Sequence, residues 1–186
     1  PSFIKKIAAH SFYQCTKLKE IEFQENSEIN SIEYQTFAKT SIEKIKIPVK
    51  VKFIGQNAFT YCKKLQKIEF QENSELQKIE DYAFCNSSLK SISIPSSIVE
   101  IKEHSFMNTE NMTNIKVIPN KIKNIDFYDD SFIIGKSLPN QKNFDVLIAS
   151  RRDIKKAVIP SFIKKIQSHA FDHCQMLQKV EIPCNS

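Results

Sequence analysis

The 186-residue sequence predicts a solenoid: one parallel β-ladder of about seven stacked units, with 3₁₀ or one-turn helices on the outer, convex side and one unit carrying a β-hairpin insertion. Three observations carry that prediction. The heptapeptide at residues 1–7 recurs unchanged at 160–166. The pentapeptide at 24–28 recurs at 71–75, two periods of about 23 residues away. A phenylalanine preceded by a small residue returns at Phe12, Phe37, Phe59, Phe84, Phe106 and Phe171. Such a period means one supersecondary unit that buries its apolar face only against copies of itself.

Within each unit the apolar spacing assigns the elements. Two aliphatic residues three apart come before the Phe: Ile4/Ile7, Ile29/Ile32, Val51/Ile54, Leu76/Ile79, Ile98/Ile101 and Ile163/Ile166. After the Phe an apolar-x-x-apolar-x-apolar set follows, as in Leu18/Ile21/Phe23 and Leu65/Ile68/Phe70, and its last two members alternate with polar residues like a half-buried strand. Pro48, Pro95, Pro119, Pro160 and Pro183 follow the strands, where a missing N–H ends a ladder. Too few residues remain for a full helix, and the Phe side chains are expected to stack as a spine.

The units run over about 1–23, 24–47, 48–70, 71–94, 95–118, 119–159 and 160–183, forming one domain over 1–186. The sixth starts with Ile122 and Ile125, then loses the pattern over residues 126–153. Apolar runs at 132–134 and 144–148, separated by a polar stretch containing Gly135 and Pro139-Asn140, predict a β-hairpin. It is expected to replace the Phe turn and project from the rim or outer face, as a partner contact or as a wedge that adjusts curvature. Its candidate contact residues are Asp129, Asp130, Asn140, Lys142, Arg151 and Arg152.

Leu18-x-x-Ile21-x-Phe23-x-x-Asn26 and Leu65-x-x-Ile68-x-Phe70-x-x-Asn73 resemble the leucine-rich repeat signature L-x-x-L-x-L-x-x-N. The sets ending in Asn120 and Asn185 match it too. The order Pro-x-x-Ile-x-x-Ile-x-x-x-Ala-Phe-x-x-Cys-x-x-Leu-x-x-Ile, best seen at 48–70 and 160–182, is similar to the BspA-like subfamily. The likeness spans the chain apart from 126–153. It implies non-catalytic proteins of bacteria and protists, many displayed at the cell surface and engaged in adhesion to host or extracellular matrix proteins. A structural spacer or intracellular scaffold is the alternative.

Two glycines leave no room for a phosphate-cradling loop, and no G-x-S-x-G elbow occurs, so the sequence offers no active site and implies no cofactor. Cys15, Cys62 and Cys174 share one repeat position, three after the Phe, and read as buried thiols. His10, His104 and His169 also share a position, expected to lie rungs apart and so unable to share a metal ion. His169, His173 and Cys174 lack a fourth zinc ligand, and Asp126, Asp129 and Asp130 lack the glycine of a calcium loop. No metal site is predicted. A net charge of +6 comes from interspersed signs, and the paired lysines fall in different parts of the repeat, so nucleic acid is not implied. No apolar run is long enough to cross a membrane as a helix.

A parallel ladder sets equivalent residues side by side, which defines the concave surface. One outward row reads Glu20, Lys44, Lys67, Ser91, Asn114, Lys156, Lys179, and the next reads Glu22, Lys46, Glu69, Ser93, Lys116, Val158, Glu181. These are the candidate partner-binding residues, suited to a protein ligand with acidic or mixed polar groups. The sequence opens within repeat pattern, so it reads as a piece of a longer protein, and uncapped ends predict self-association.

Overall fold

The computed structural model describes residues 3–138 and 140–184. Pro1, Ser2, Pro139, Asn185 and Ser186 lie outside the described residues, and with them the start of the first heptapeptide, one residue of the polar connector and the last signature asparagine. The chain winds through two parallel ladders joined by turns. Long strands β3 (Lys44–Ile47), β5 (Lys67–Phe70), β7 (Ser91–Pro95) and β9 (Asn114–Ile118) form one ladder. Short strands β1 (Lys6–Ile7), β2 (Ser31–Ile32), β4 (Phe53–Ile54), β6 (Lys78–Ile79) and β8 (Glu100–Ile101) form the other. The insertion supplies β10 (Ile125–Tyr128), β11 (Phe132–Gly135) and β12 (Val146–Ser150). Beyond it come β13 (Lys156–Val158), β14 (Lys165–Ile166) and β15 (Lys179–Glu181).

The apolar residue of each pair occupies the inward pleat. Ile45, Ile68, Ile92 and Ile115 face each other down the long ladder, and Ile32, Ile54, Ile79 and Ile101 down the short one. The predicted spine is present: Phe12, Phe37, Phe59, Phe84 and Phe106 stack with centroid spacings of 5.3, 5.3, 5.7 and 5.6 Å. Offset ring stacks of this spacing add about 0.5–1.5 kcal/mol each beyond burial.

The described residues contain no helix on the outer side. Residues two before and two after the Phe hold positive φ instead in every Phe turn but that of Phe106, as at Gln35 (50°) and Lys39 (60°), Asn57 (57°) and Tyr61 (56°). Alternating the backbone hand turns amides along the solenoid axis, so Gln35, Phe37 and Lys39 donate to carbonyls of the next unit at 2.9–3.1 Å. These inter-unit bonds alternate with bonds inside the turn, where Thr36, Ala38 and Thr40 donate to the carbonyl three residues back. The left-handed conformation costs L-residues roughly 1–2 kcal/mol each, and stacking offsets it without glycine. Gly55 has another role: a Cβ there would lie 2.7 Å from the carbonyl carbon of Glu33 in the unit before.

The insertion does not project. All residues of β11 and β12 are buried. Ile133, Val146 and Ile148 pack into the main core, whereas Phe132, Ile134 and Leu147 pack into a second core with Ile154, Ala157, Ile159 and Ala170. The antiparallel pair is therefore a partition between two cores, which explains its unbroken apolar runs. It also joins the solenoid: β12 pairs in parallel with β14, Leu147 opposite Ile166. Leu147, not Ile125, holds the aliphatic position of the sixth unit, so the extra chain precedes β12 rather than spanning 126–153. Ile125 instead opens β10, which pairs antiparallel with β11 across a three-residue turn of Asp129, Asp130 and Ser131, the two aspartates at positive φ.

Candidate functional site

Register places the concave rows as the repeat predicts over four strands. Lys44, Lys67, Ser91 and Asn114 are successive partners, as are Lys46, Glu69, Ser93 and Lys116. Lys156 and Val158 face Lys179 and Glu181 on a separate two-stranded sheet, and no pairing joins β9 to β13 among the described residues. The two rows are thus interrupted, because the partition wedges units five and six apart. Glu20 and Glu22 lie ahead of the ladder on a segment without strand pairing, tied to it by the Glu43 amide on Lys19 O at 3.2 Å. With Lys44, Lys46 and Glu69 they line a shallow groove of about 420 Å³.

The charges fall into two sets. Lys67 pairs with Glu69, and Glu181 accepts from both Lys156 and Lys179 at 2.9 Å. Those two lysines, Lys156 first, hold the Glu181 carboxyl down at about 2. Lys44, Lys46 and Lys116 have no carboxylate partner among the described residues. Glu20 and Glu22 likewise have no cationic partner among the described residues, so the unpaired charge on this face is mixed: carboxylates at its start, lysines on β3 and β9.

The insertion candidates are dispersed by role. Asp129 and Asp130 make the hairpin turn, and Arg151 donates to Asp130 O at 3.2 Å while gripping Asp153 at 3.0 and 2.7 Å. Asn140 and Lys142 are exposed on the connector. Arg152 is 3% exposed and unavailable to a partner. Its guanidinium donates to Ala170 O at 2.9 Å, Phe106 O at 3.2 Å and Thr109 O at 3.4 Å. Arg152 stands five residues after Leu147, as each spine Phe stands five after its aliphatic residue. That spacing was the readable signal for the sixth unit, hidden by an arginine in a phenylalanine's place.

The sixth unit lacks the Phe turn, so the turns of units five and seven meet directly. The rings of His104 and His169 lie 5.3 Å apart, close to the 4.9 Å between Tyr82 and His104 on adjacent turns. The expected separation of these histidines therefore does not hold. His104 Nδ1 contacts Asp81 Oδ1 at 3.1 Å, and His173 Nε2 contacts Asn108 Oδ1 at 3.0 Å. No group of three metal-ligating side chains gathers among the described residues. Cys62 and Cys85 are buried, Cys174 is half-buried, and Cys15 is exposed because its unit ends the stack.

The family model of the BspA-type leucine-rich repeat region matches six copies, over residues 1–113, 73–141 and 147–186. This chain belongs to that family. Its members are solenoids that generally serve as protein-interaction modules and are typically non-catalytic. No curated protein sequence matches this chain. Among solved structures it is similar to the pneumococcal vaccine antigen PcpA, with 27% identity and a TM-score of 0.82 over 97% of this chain and 43% of that one. A leucine-rich cell surface protein of Faecalibacterium prausnitzii shares the fold at 20% identity, TM-score 0.68, covering 98% of this chain and 59% of that one. A leucine-rich repeat protein of Eubacterium ventriosum aligns at 26% identity, TM-score 0.60, over 84% of this chain and 46% of that one. The BspA-type chain thus spans about half the length of the solved structures it matches.

Proposed function

We propose that this chain is a non-catalytic, cell-surface adhesion module that takes a host or extracellular matrix protein on its concave ladder. The observation that carries the reading is Lys44, Lys46 and Lys116, cations without carboxylate partners among the described residues, on a ladder that also carries Ser91, Ser93, Asn114 and the Lys67–Glu69 pair. An acidic surface on the partner would complement it, and the scarcity of aromatic anchors there suits weak or multivalent binding. The surface origin of the Faecalibacterium relative supports the location. Asp129, Asp130, Asn140, Lys142 and Arg151 form a secondary contact set on the insertion. Lys156, Lys179 and Glu181 extend the face at its far end.

Capture of immobilised matrix proteins, compared between the native chain and one with Lys44, Lys67 and Lys179 changed to Glu, tests the reading. Capture that falls with the charge reversal supports concave-face adhesion. Unchanged capture, or none by either chain, removes it and leaves the spacer role.

A further inference from the structure

We propose that the break in the short-strand ladder is a binding slot for an extended peptide segment carrying an acidic side chain, which adds as a strand to the bare edge of β8. This is a different surface from the concave face and does not depend on it.

The edge is bare because of a slip in register. Along the regular ladder Lys52 O accepts from the Gln77 and Lys78 amides, and Gln77 O from the Val99 and Glu100 amides. The next acceptor in that series is Val99 O. The insertion arrives early: the Asn124 and Ile125 amides bond to Ser96 O, three residues before it. The chain then turns away into β10, and β8 pairs with β6 alone among the described residues. Val99 O meets no backbone donor there, and Ile101 O, whose equivalents Ile54 O and Ile79 O take the Glu80 and Lys102 amides, receives only the Gln167 side-chain amide at 3.2 Å. The Gln167 Oε1 is itself buried without a partner.

A cleft of about 580 Å³ occupies the place of the missing rung. That volume lies within the range of ligand sites, about 300–1,000 Å³. Val99 and Ile101 form one wall, and Ile125, Val146 and Ile148 the other. An added strand would gain main-chain bonds from the edge and set alternate side chains against these apolar walls. The rim selects the charge. Glu100 is held by Lys78 and Lys102, Glu103 by Lys165, and Asp81 by His104. Lys136, on the opposite wall over the Phe144 ring at 5.9 Å, has no carboxylate partner among the described residues. An acidic side chain is what it lacks.

The test is an amide NMR titration of the full 186-residue chain with a blocked Val-Asp-Val-Asp-Val peptide. Its backbone N-methylated form and a Val-Lys-Val-Lys-Val peptide serve as comparisons. The aspartate peptide should shift amides at 99–104 and at 136–137, and N-methylation should weaken it about tenfold, as loss of one or two backbone hydrogen bonds does. Lys136→Glu should reverse the preference toward the lysine peptide. No shift at millimolar peptide, equal binding of the N-methylated form, or indifference to Lys136→Glu would overturn the slot. Shifts confined to Lys44, Lys46 and Lys116 would also overturn it, while favouring the concave face.

Discussion

The amide of Asn108 donates to the Asp172 carboxylate at 2.7 Å, joining residues 64 apart in sequence. In the regular turns the equivalent amides, at Lys39 and Asn86, bond to a backbone carbonyl of the next unit. The side chain of Asp172 therefore stands in for a carbonyl that the sixth unit does not supply. Asp172→Ala should leave that amide without its acceptor and destabilise the last unit by about 1–3 kcal/mol. Hydrogen exchange should show lost protection at 163–181 with units two to four unchanged, and uniform protection would refute the assignment.

Arg152 holds the carbonyls of units five and seven together from inside the core. Burial pulls its pKa below the ordinary arginine value, so the charge is kept by those bonds and not by solvent. Arg152→Met keeps the volume but removes the one donor shared by the three carbonyls, each of which retains a backbone donor of its own, and it should cost about 1–2 kcal/mol in denaturant unfolding. A loss under 1 kcal/mol would show that the surrounding backbone finds other donors.

Gly55 lets two backbones approach across adjacent units. Gly55→Ala places a methyl within 2.9 Å of Ile32 O and Glu33 O, so a unit must shift. The expected loss is about 1–3 kcal/mol by thermal unfolding, despite alanine's better propensity for ordered structure.

Glu181 predicts a pH effect with a definite sign. Its carboxyl is held down at about 2 from an ordinary 4.5 by Lys156 and Lys179. A depressed carboxyl contributes stability above the ordinary value, and that contribution is lost as pH falls from 4.5 toward 2. Carbon-detected titration should find Glu181 ionised at about pH 3.5, and Lys156→Met should move its midpoint upward. A midpoint unchanged in that variant would contradict the pairing.

Thiol accessibility separates the cysteines. Cys15 and Cys184 are exposed and should react with an aromatic disulfide reagent in the folded state. Burial pushes the Cys62 and Cys85 thiols up, so they should react only on unfolding. Rapid labelling of Cys62 in the native chain would be inconsistent with its bond to Phe37 O at 3.0 Å.

The period and the aliphatic spacing made the ladders, the Phe spine and the concave register legible, because each follows from one unit stacked on its copy. The turns are not helical, and their positive φ is only partly legible: Asn and His at these positions favour it, but Gln, Lys and Tyr adopt it as well in place of glycine. The insertion was legible as strands but not as a partition. Its continuous apolar runs marked burial on both faces, yet which cores it divides depends on contacts 20 or more residues away. Arg152 looked like a surface charge because the carbonyls that hold it, Phe106, Thr109 and Ala170, are 46, 43 and 18 residues distant.

The direct contact between the fifth and seventh turns gives the solenoid unequal sides. Along the turn column one rung of about 4.8 Å is missing, while along the strand column β13 pairs with β15 and not with β9 among the described residues. The stack is therefore closed up on its turn side and opened on its strand side at the same unit. The predicted binding face becomes two separate ladders, so register carries a bound partner along one of them and not onto the other. A partner that touches both Lys116 and Lys179 must bridge that break.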